Sequence, residues 1–245
     1  YALSDRLSIR AAYGRNVGYP FQGPLYSTYT GNIARFRLAG VSLQELWDDM
    51  KLEVADMLDL GLRIEGEHWY LAPTFYYAKY RDKQVTVFDP RVGLNYQRNG
   101  AKATSSGLEL EGGWEPVTGL DLFGSVAWNR FSFDDDVRSA ANSVIPIAGK
   151  QIADTPKLSA KLGASWQLGP FSVSPLVRYI GARYGDAQET QKISGYTVAD
   201  LHLGYKPRGL QGYAKDLRFS LSVLNLADKR YIGIITADDR NPGSA

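Results

Sequence analysis

The side chains able to do chemistry in this chain are few, and their types favour binding over catalysis. There is no cysteine, and the two histidines are His68 and His202. His68 falls in the turn-like Gly66-Glu67-His68 and His202 in an alternating strand pattern, so neither has partners at zinc-ligand spacing. Asp134-Asp135-Asp136 offers the oxygens a hard cation takes, but such a run in a polar stretch reads as a solvated loop tip. No Gly-x-Ser-x-Gly elbow, phosphate-cradling loop or activated nucleophile is present, so no catalytic residue, metal or cofactor is expected. What stands out is a mixture of aromatic and arginine residues: Tyr19, Phe21, Tyr26, Tyr29, Arg35, Phe36 and Arg37, joined by Phe88, Arg91, Arg98, Arg183 and Tyr184. Aromatic planes and planar guanidinium groups together suit a flat, anionic ligand.

These residues lie in irregular connections, so the elements between them must supply the scaffold. Leu7, Ile9, Ala11 and Tyr13 alternate with polar or small residues, the period-2 signature of a strand. The same pattern recurs at Leu58–Ile64, Trp69–Tyr77, Leu108–Trp114, Leu120–Trp128, Leu158–Trp166, Phe171–Tyr179, Ala199–Tyr205 and Leu217–Val223. Short turns join these strands at one end, and long stretches join them at the other, about 16–49, 80–95, 132–155 and 181–195. An up-and-down meander with short turns on one side and long loops on the other is the layout of outer-membrane barrels.

Alternation alone does not separate a lipid-facing barrel from a soluble one. One face of the nine strands offers roughly 40 positions without Asp, Glu, Lys or Arg, where about nine charges would fall by chance; such a face is expected in lipid. The opposite face carries Arg10, Arg63, Glu109, Glu111, Lys161 and Arg178 among Ser, Gly, Ala and Thr, which reads as a lumen and not as a Lys/Glu-rich soluble surface. Aromatics on the apolar face gather at the strand ends: Trp69, Trp114, Trp166, Phe171 and Tyr205 by the short turns, and Tyr13, Tyr77, Trp128 and Tyr179 by the long loops. Pro73 and Pro175 fall within that face, where local bulges would accommodate them.

Composition agrees. No run of about 18 apolar residues exists and mean hydropathy is slightly negative, but spanning strands need only about 9 to 11 alternating residues. A net charge of +2 with scattered Lys and Arg excludes nucleic acid as an expected partner.

Asn225-Leu226-Ala227-Asp228-Lys229-Arg230-Tyr231 resembles the N-L-x-D-K-x-Y motif near the C-terminus of TonB-dependent outer-membrane receptors. Leu52-Glu53-Val54-Ala55-Asp56 running into Leu58–Arg63 is similar to that family's L-x-P-E-x-S-x-x-x-E-x-G, without the Pro and with Asp59 for the usual Glu. Ser106-Gly107-Leu108-Glu109-Leu110-Glu111 resembles its G-x-E-x-E strand, and Thr155-Pro156, Tyr179-Ile180-Gly181 and Gly195–Leu201 flank strands as they do there. Asn16-Val17-Gly18-Tyr19-Pro20 stands where the family often has G-F-R-x-P.

The resemblance implies an all-β fold, a transmembrane antiparallel up-and-down β-barrel. Residues 1–245 are then about nine strands from the C-terminal portion of a barrel of about 22, with plug domain and final strand outside them. It implies a Gram-negative outer-membrane receptor and active transporter, a ferric siderophore as ligand, a lipid bilayer around it, and the TonB complex acting through an N-terminal region not in this chain. Tyr19, Phe21, Tyr26, Arg35, Arg37, Phe88, Arg91 and Arg183 are then the candidate ligand-binding residues, suited to a complex such as a ferric catecholate. Cobalamin, haem or another metal complex is the alternative cargo, and a passive porin or a soluble β-barrel binding module the alternative class.

Overall fold

The computed structural model describes residues 1–20, 22–138, 144–207 and 217–234. A short strand, Ala2–Ser4 (β1), folds back on Leu7–Gly18 (β2). Three helices follow, Gln22–Gly31 (α1), Ile33–Leu38 (α2) and Leu43–Asp48 (α3), before Glu53–Glu65 (β3). The chain continues through Trp69–Asp89 (β4), Leu94–Val117 (β5) and Leu120–Phe133 (β6), then a small hairpin of Val137–Arg138 (β7) and Val144–Ile145 (β8). Leu158–Leu168 (β9) and Phe171–Ile180 (β10) precede a second small hairpin, Arg183–Tyr184 (β11) with Lys192–Ile193 (β12). Tyr196–Tyr205 (β13) and Phe219–Val223 (β14) complete the set.

Ten strands form one antiparallel sheet in the order β1-β2-β3-β4-β5-β6-β9-β10-β13-β14, so each pairs with the next sheet strand in the chain. All nine strands expected from alternation are present, and the sheet is open, with β1 and β14 at its edges. Most of the connection between β13 and β14 lies outside the described residues.

The register aligns the apolar positions into continuous rows. Leu60, Phe75, Leu108, Trp128 and Leu158 stand opposite one another across five strands. Ile64, Leu71, Gly112, Gly124, Leu162, Val177 and Ala199 do so across seven. Many of these side chains are exposed: Leu108 is 55% accessible, Trp128 50% and Leu162 66%. An apolar patch of this size is costly in water and favourable in hydrocarbon. At the short-turn end Trp69 faces Trp114, and Phe171, Tyr205 and Phe219 stack in succession at 4.8 and 6.3 Å.

The other face is polar and tied across strands. Arg63 lies over the Tyr70 ring at 4.3 Å, the Tyr70 hydroxyl donates to Glu111 at 2.9 Å, and Arg178 pairs with Asp200 at 2.7 Å. Aromatic rings on this face lie flat over glycines of the neighbouring strand. Phe123 covers Gly163 and Tyr76 covers Gly107 so closely that a Cβ at either glycine would overlap the ring.

Four expectations are corrected. The stretch 16–49 is not irregular: β2 runs to Gly18 and the rest carries three helices. The stretch 80–95 is no loop: β4 and β5 continue as a long hairpin closed by a tight turn at 90–93, where Gly93 adopts φ +70° and its N–H bonds the Asp89 carbonyl at 2.7 Å. Above the aromatic row Val85 and Val87 pack against the neighbouring connections, so no hydrocarbon enforces the alternation that marks the strand below.

The prolines make no bulges. Gly61↔Thr74 and Ile64↔Leu71 keep one register on either side of Pro73, as Val173↔Trp166 and Leu176↔Gly163 do around Pro175; the ladder loses only the pairs a proline N cannot serve. Finally, Asp134 and Asp136 are solvent-exposed and Asp135 partly so, as expected, but the run is not a free loop tip. Asp134 accepts from the Thr104 hydroxyl at 2.8 Å, Asp135 from Lys102 N–H at 2.8 Å, and Asp136 from the N–H groups of Ile147 and Ala148. The three carboxylates fasten the third long connection to β5 and to itself.

Candidate functional site in the loop layer

Most of the buried hydrophobic side chains lie in the long connections, not in the sheet's lower part. One cluster joins Leu25, Phe36, Val41 and Leu46 of the helical segment to Val92, Leu94 and Tyr96 of the hairpin tip. Phe36 and Tyr96, both fully buried, meet edge to face at 5.4 Å, and Tyr29 packs on Phe36 at 5.0 Å. A second cluster packs Val85, Val87, Ala101 and Ala103 of the same hairpin against Phe133, Val137, Ile145 and Ile147. The hairpin is thus the post on which both neighbouring loops are mounted.

Local chemistry explains the helices. α3 starts at a capping box: the Ser42 hydroxyl accepts from Glu45 N–H, and the Glu45 carboxylate accepts from Ser42 N–H at 2.8 Å. Those two donors, backbone first and hydroxyl second, hold the Glu45 carboxyl below the ordinary glutamate range. α2 ends where Gly40, at φ +73°, lets Val41 N–H return to the Phe36 carbonyl at 2.9 Å. Inside the hairpin tip, buried Asp89 accepts from the Tyr96 hydroxyl at 2.8 Å and from Arg91 N–H at 3.0 Å, which fixes the turn carrying Arg91.

The candidate residues divide on this frame. Arg35 is exposed and donates once, to the Gly93 carbonyl at 3.2 Å, so its guanidinium sits at the turn that carries exposed Arg91 with most of its donors uncommitted. Arg37 is exposed too, but two residues along a helix puts it on the far side from Arg35. Tyr26 is half exposed and stacks on Trp47 at 6.4 Å. Tyr19 is 81% exposed, and its carbonyl accepts from Gln84 at 3.1 Å. Phe21 lies outside the described residues.

Phe88 and Arg183 are placed differently from an open contact surface. Phe88 is partly buried, its carbonyl accepting from Gln188 at 3.2 Å. Arg183 is 2% exposed and donates to Asp154 at 2.6 Å and to the Ile232 carbonyl at 2.6 Å, a tie between the third and last connections. Phe36, counted among the aromatics of the first loop, is core.

The sequence did not reveal one further feature, a polar cleft of about 650 Å³ between α3, the hairpin and the third connection. Buried Arg98 reaches from it to Asp49 at 2.8 Å, and Asn99 clips the Lys51 backbone from both sides, accepting its N–H and donating to its carbonyl at 2.9 Å each. The Ser42-x-x-Glu45 spacing was a signal for α3 and so for one wall of this cleft. Among the described residues no group of three or more His, Cys, Asp or Glu is arranged to hold a metal ion.

Comparisons with known proteins agree on the kind of molecule. Residues 1–226 match the family model described as TonB dependent receptor-like, beta-barrel. The ferrioxamine receptor of Yersinia enterocolitica is 27% identical over 156 residues, which is 63% of this chain and 21% of that protein. The pesticin receptor of the same species is 24% identical over 179 residues, 71% of this chain and 24% of that protein. The chain therefore spans about a fifth to a quarter of these relatives. Among solved structures, the ferric yersiniabactin uptake receptor from Yersinia pestis superposes with a TM-score of 0.65 at 21% identity, over 94% of this chain and 31% of that one.

Proposed function

We propose, from the premise that this chain belongs to the TonB-dependent receptor β-barrel family and lies in the outer membrane, that the protein carrying it imports a ferric siderophore, energised through TonB by a region outside these residues. The observation that carries the reading is the placement of Arg35 at the Arg91 turn. There Arg35, exposed on the packed loop layer, donates to the Gly93 carbonyl among the described residues and keeps other guanidinium donors for an anion in this reading. Siderophore complexes are bulky and commonly anionic, and a preformed cationic surface flanked by Tyr19 and Tyr26 supplies charge and flat contact area together. The naming of relatives after ferrioxamine and ferric yersiniabactin supports the same cargo class. Phe21 and Arg37 remain candidate contacts in this reading, whereas Phe88 and Arg183 hold the surface in place.

The test is binding and uptake by the full-length receptor over a panel of iron complexes, with Arg35→Ala and Arg37→Ala beside the unaltered protein. Loss of one desolvated charged contact lowers affinity by about tenfold to a hundredfold. Arg35→Ala should show this loss and Arg37→Ala a smaller one. Unchanged affinity in both variants removes the first connection from the site.

A further inference from the structure

The chain's one Asn-Gly step, Asn99-Gly100, falls where the tall β4–β5 hairpin loses regular pairing. Tyr80 faces Ala103, Lys83 faces Ala101 and Val85 faces Arg98, so β4 carries an extra residue at 81–82 and β5 an extra one at 99–100. Gly100 is exposed with φ +113°, and Asn99 is 8% exposed. The Asn99 carboxamide spans these back-to-back bulges: its Oδ1 accepts from Lys51 N–H at 2.9 Å, and its Nδ2 donates to the carbonyls of Lys51 and Asp82. One side chain thus joins β5 to β4 and to the segment that leads from α3 into β3.

Asparagine before glycine is open to attack by its own chain, because no Cβ on the following residue shields the peptide nitrogen. The Gly100 nitrogen gives up its proton and attacks Cγ of Asn99 with its electron pair. A bond from that nitrogen to Cγ forms, the Cγ–Nδ2 bond breaks, and Nδ2 leaves as ammonia with the proton. Solvent water then opens the five-membered imide at either C–N bond, hydroxyl to carbon and hydrogen to nitrogen, leaving aspartate or isoaspartate. Asn99 and Gly100 both line the polar cleft of about 650 Å³, which supplies that water. Asn16, Asn95 and Asn129 precede Val17, Tyr96 and Arg130, whose side chains obstruct the same attack.

The fold restrains this reaction and gives it a consequence. Departure of Nδ2 breaks its bonds to Lys51 and Asp82, so conversion proceeds from states in which the Lys51 segment has lifted off the hairpin. That segment follows α3 without a break, since Asp49 N–H bonds the Glu45 carbonyl and Met50 N–H the Trp47 carbonyl. Afterwards a carboxylate oxygen stands where the donor stood, facing two carbonyl acceptors. It also adds a negative charge to a cleft already lined by Glu45, Asp48, Asp49 and Asp136. The clamp cannot re-form.

We infer that Asn99-Gly100 is a deamidation site acting as a one-way release of the loop layer. Opening of the α3–Lys51 segment sets its rate, and conversion of Asn99 frees that segment from the tall hairpin for good.

The test ages the full-length protein in non-ionic detergent at mildly alkaline pH and maps its peptides by mass. Residue 99 should gain one mass unit and become a substrate for an isoaspartyl methyltransferase, while Asn16 and Asn129 should not change. Ser42→Ala, which weakens the start of α3, should speed the conversion about fivefold. Amide protection over residues 43–51 should fall by about tenfold to a hundredfold in Asn99→Asp, with β9 and β10 unaltered. Aged protein separated from fresh should show the same local loss, so this readout does not depend on the variant folding. No mass gain at residue 99, over a time that converts the same protein unfolded in urea, overturns the inference. So does a rate unmoved by Ser42→Ala, or protection over 43–51 that is equal in fresh and aged protein. Because the readout is mass and exchange and not iron, failure here is distinct from failure of the import reading.

Discussion

Replacing Phe36 by alanine isolates what the loop layer contributes. Phe36 has no exposed surface, meets Tyr96 at 5.4 Å and Tyr29 at 5.0 Å, and lies among Leu25, Val41, Leu46 and Leu94. Truncating a buried phenylalanine costs about 3 to 5 kcal/mol, which at about 1.4 kcal/mol per decade is two to three and a half orders of magnitude in the opening equilibrium. The cluster touches the hairpin tip but none of the lipid-facing rows, so the loss should stay local. Amide hydrogen exchange reads this directly. Protection over residues 22–48 and 89–96 should fall by that factor, while β9, β10 and β13 remain as they were. Leu38→Ala, on the same helix but 90% exposed, should change protection by less than about threefold. Equal loss of protection in the sheet, or none in the helices, would refute the view that the layer is a separately packed unit.

Two further outcomes follow from single contacts. Ser42→Ala removes the hydroxyl half of the capping box and should cost the α3 region about 1 kcal/mol. Because the folded Glu45 carboxyl titrates below its unfolded value, its contribution is complete above the unfolded value, about pH 4.3, and is lost as pH falls through the depressed folded value; exchange of residues 43–48 between pH 6 and pH 3 should show this in the unaltered protein and less in Ser42→Ala. Gly163→Leu drives a side chain into the Phe123 ring and should destabilise the folded sheet by about 1 to 3 kcal/mol in urea titration, whereas Gly14→Ala, with no atom near the added carbon, should be close to neutral.

How far these features could be read from the chain depends on which solvent surrounds each residue. Below the aromatic rows, lipid on one side and a polar interior on the other impose strict alternation, and all nine strands are visible in the order of leucines and serines. Above them both faces meet water or protein. Val85 and Val87 are buried by Phe133 and its neighbours, and Asp82-Lys83-Gln84 between strand segments looks like a loop. The helices are too short for periodicity to mark them, since α2 and α3 have six residues each, and only Ser42 and Glu45 gave a local sign.

The same limit applies to the candidate contacts. Residue type singled out the arginines of the outer connections, but Arg35 and Arg183 look alike in sequence and differ only in what covers them. One donates a single bond at an open turn, and the other is 2% exposed against Asp154. Burial at a loop junction is set by chain segments far apart in sequence, such as 154 and 232 meeting at 183. Asn225 illustrates the converse. Its place in a motif was legible, and the reason is a φ of +53° with its amide bonded both ways to the Lys229 backbone.

The strand order of the sheet bears on how the molecule is made. Every strand of the meander finds its partner next along the chain, so pairing can advance one hairpin at a time, and each step closes a short stretch of chain. Two closures are long, the helical stretch between β2 and β3 and the connection between β6 and β9. Both flank the run β3 to β6, whose connections at 66–68, 90–93 and 118–119 are all short, with the tall β4–β5 hairpin at its centre. A nascent wall that begins with this hairpin has a template on either side before its costly loops must settle, which makes it the natural first piece to assemble.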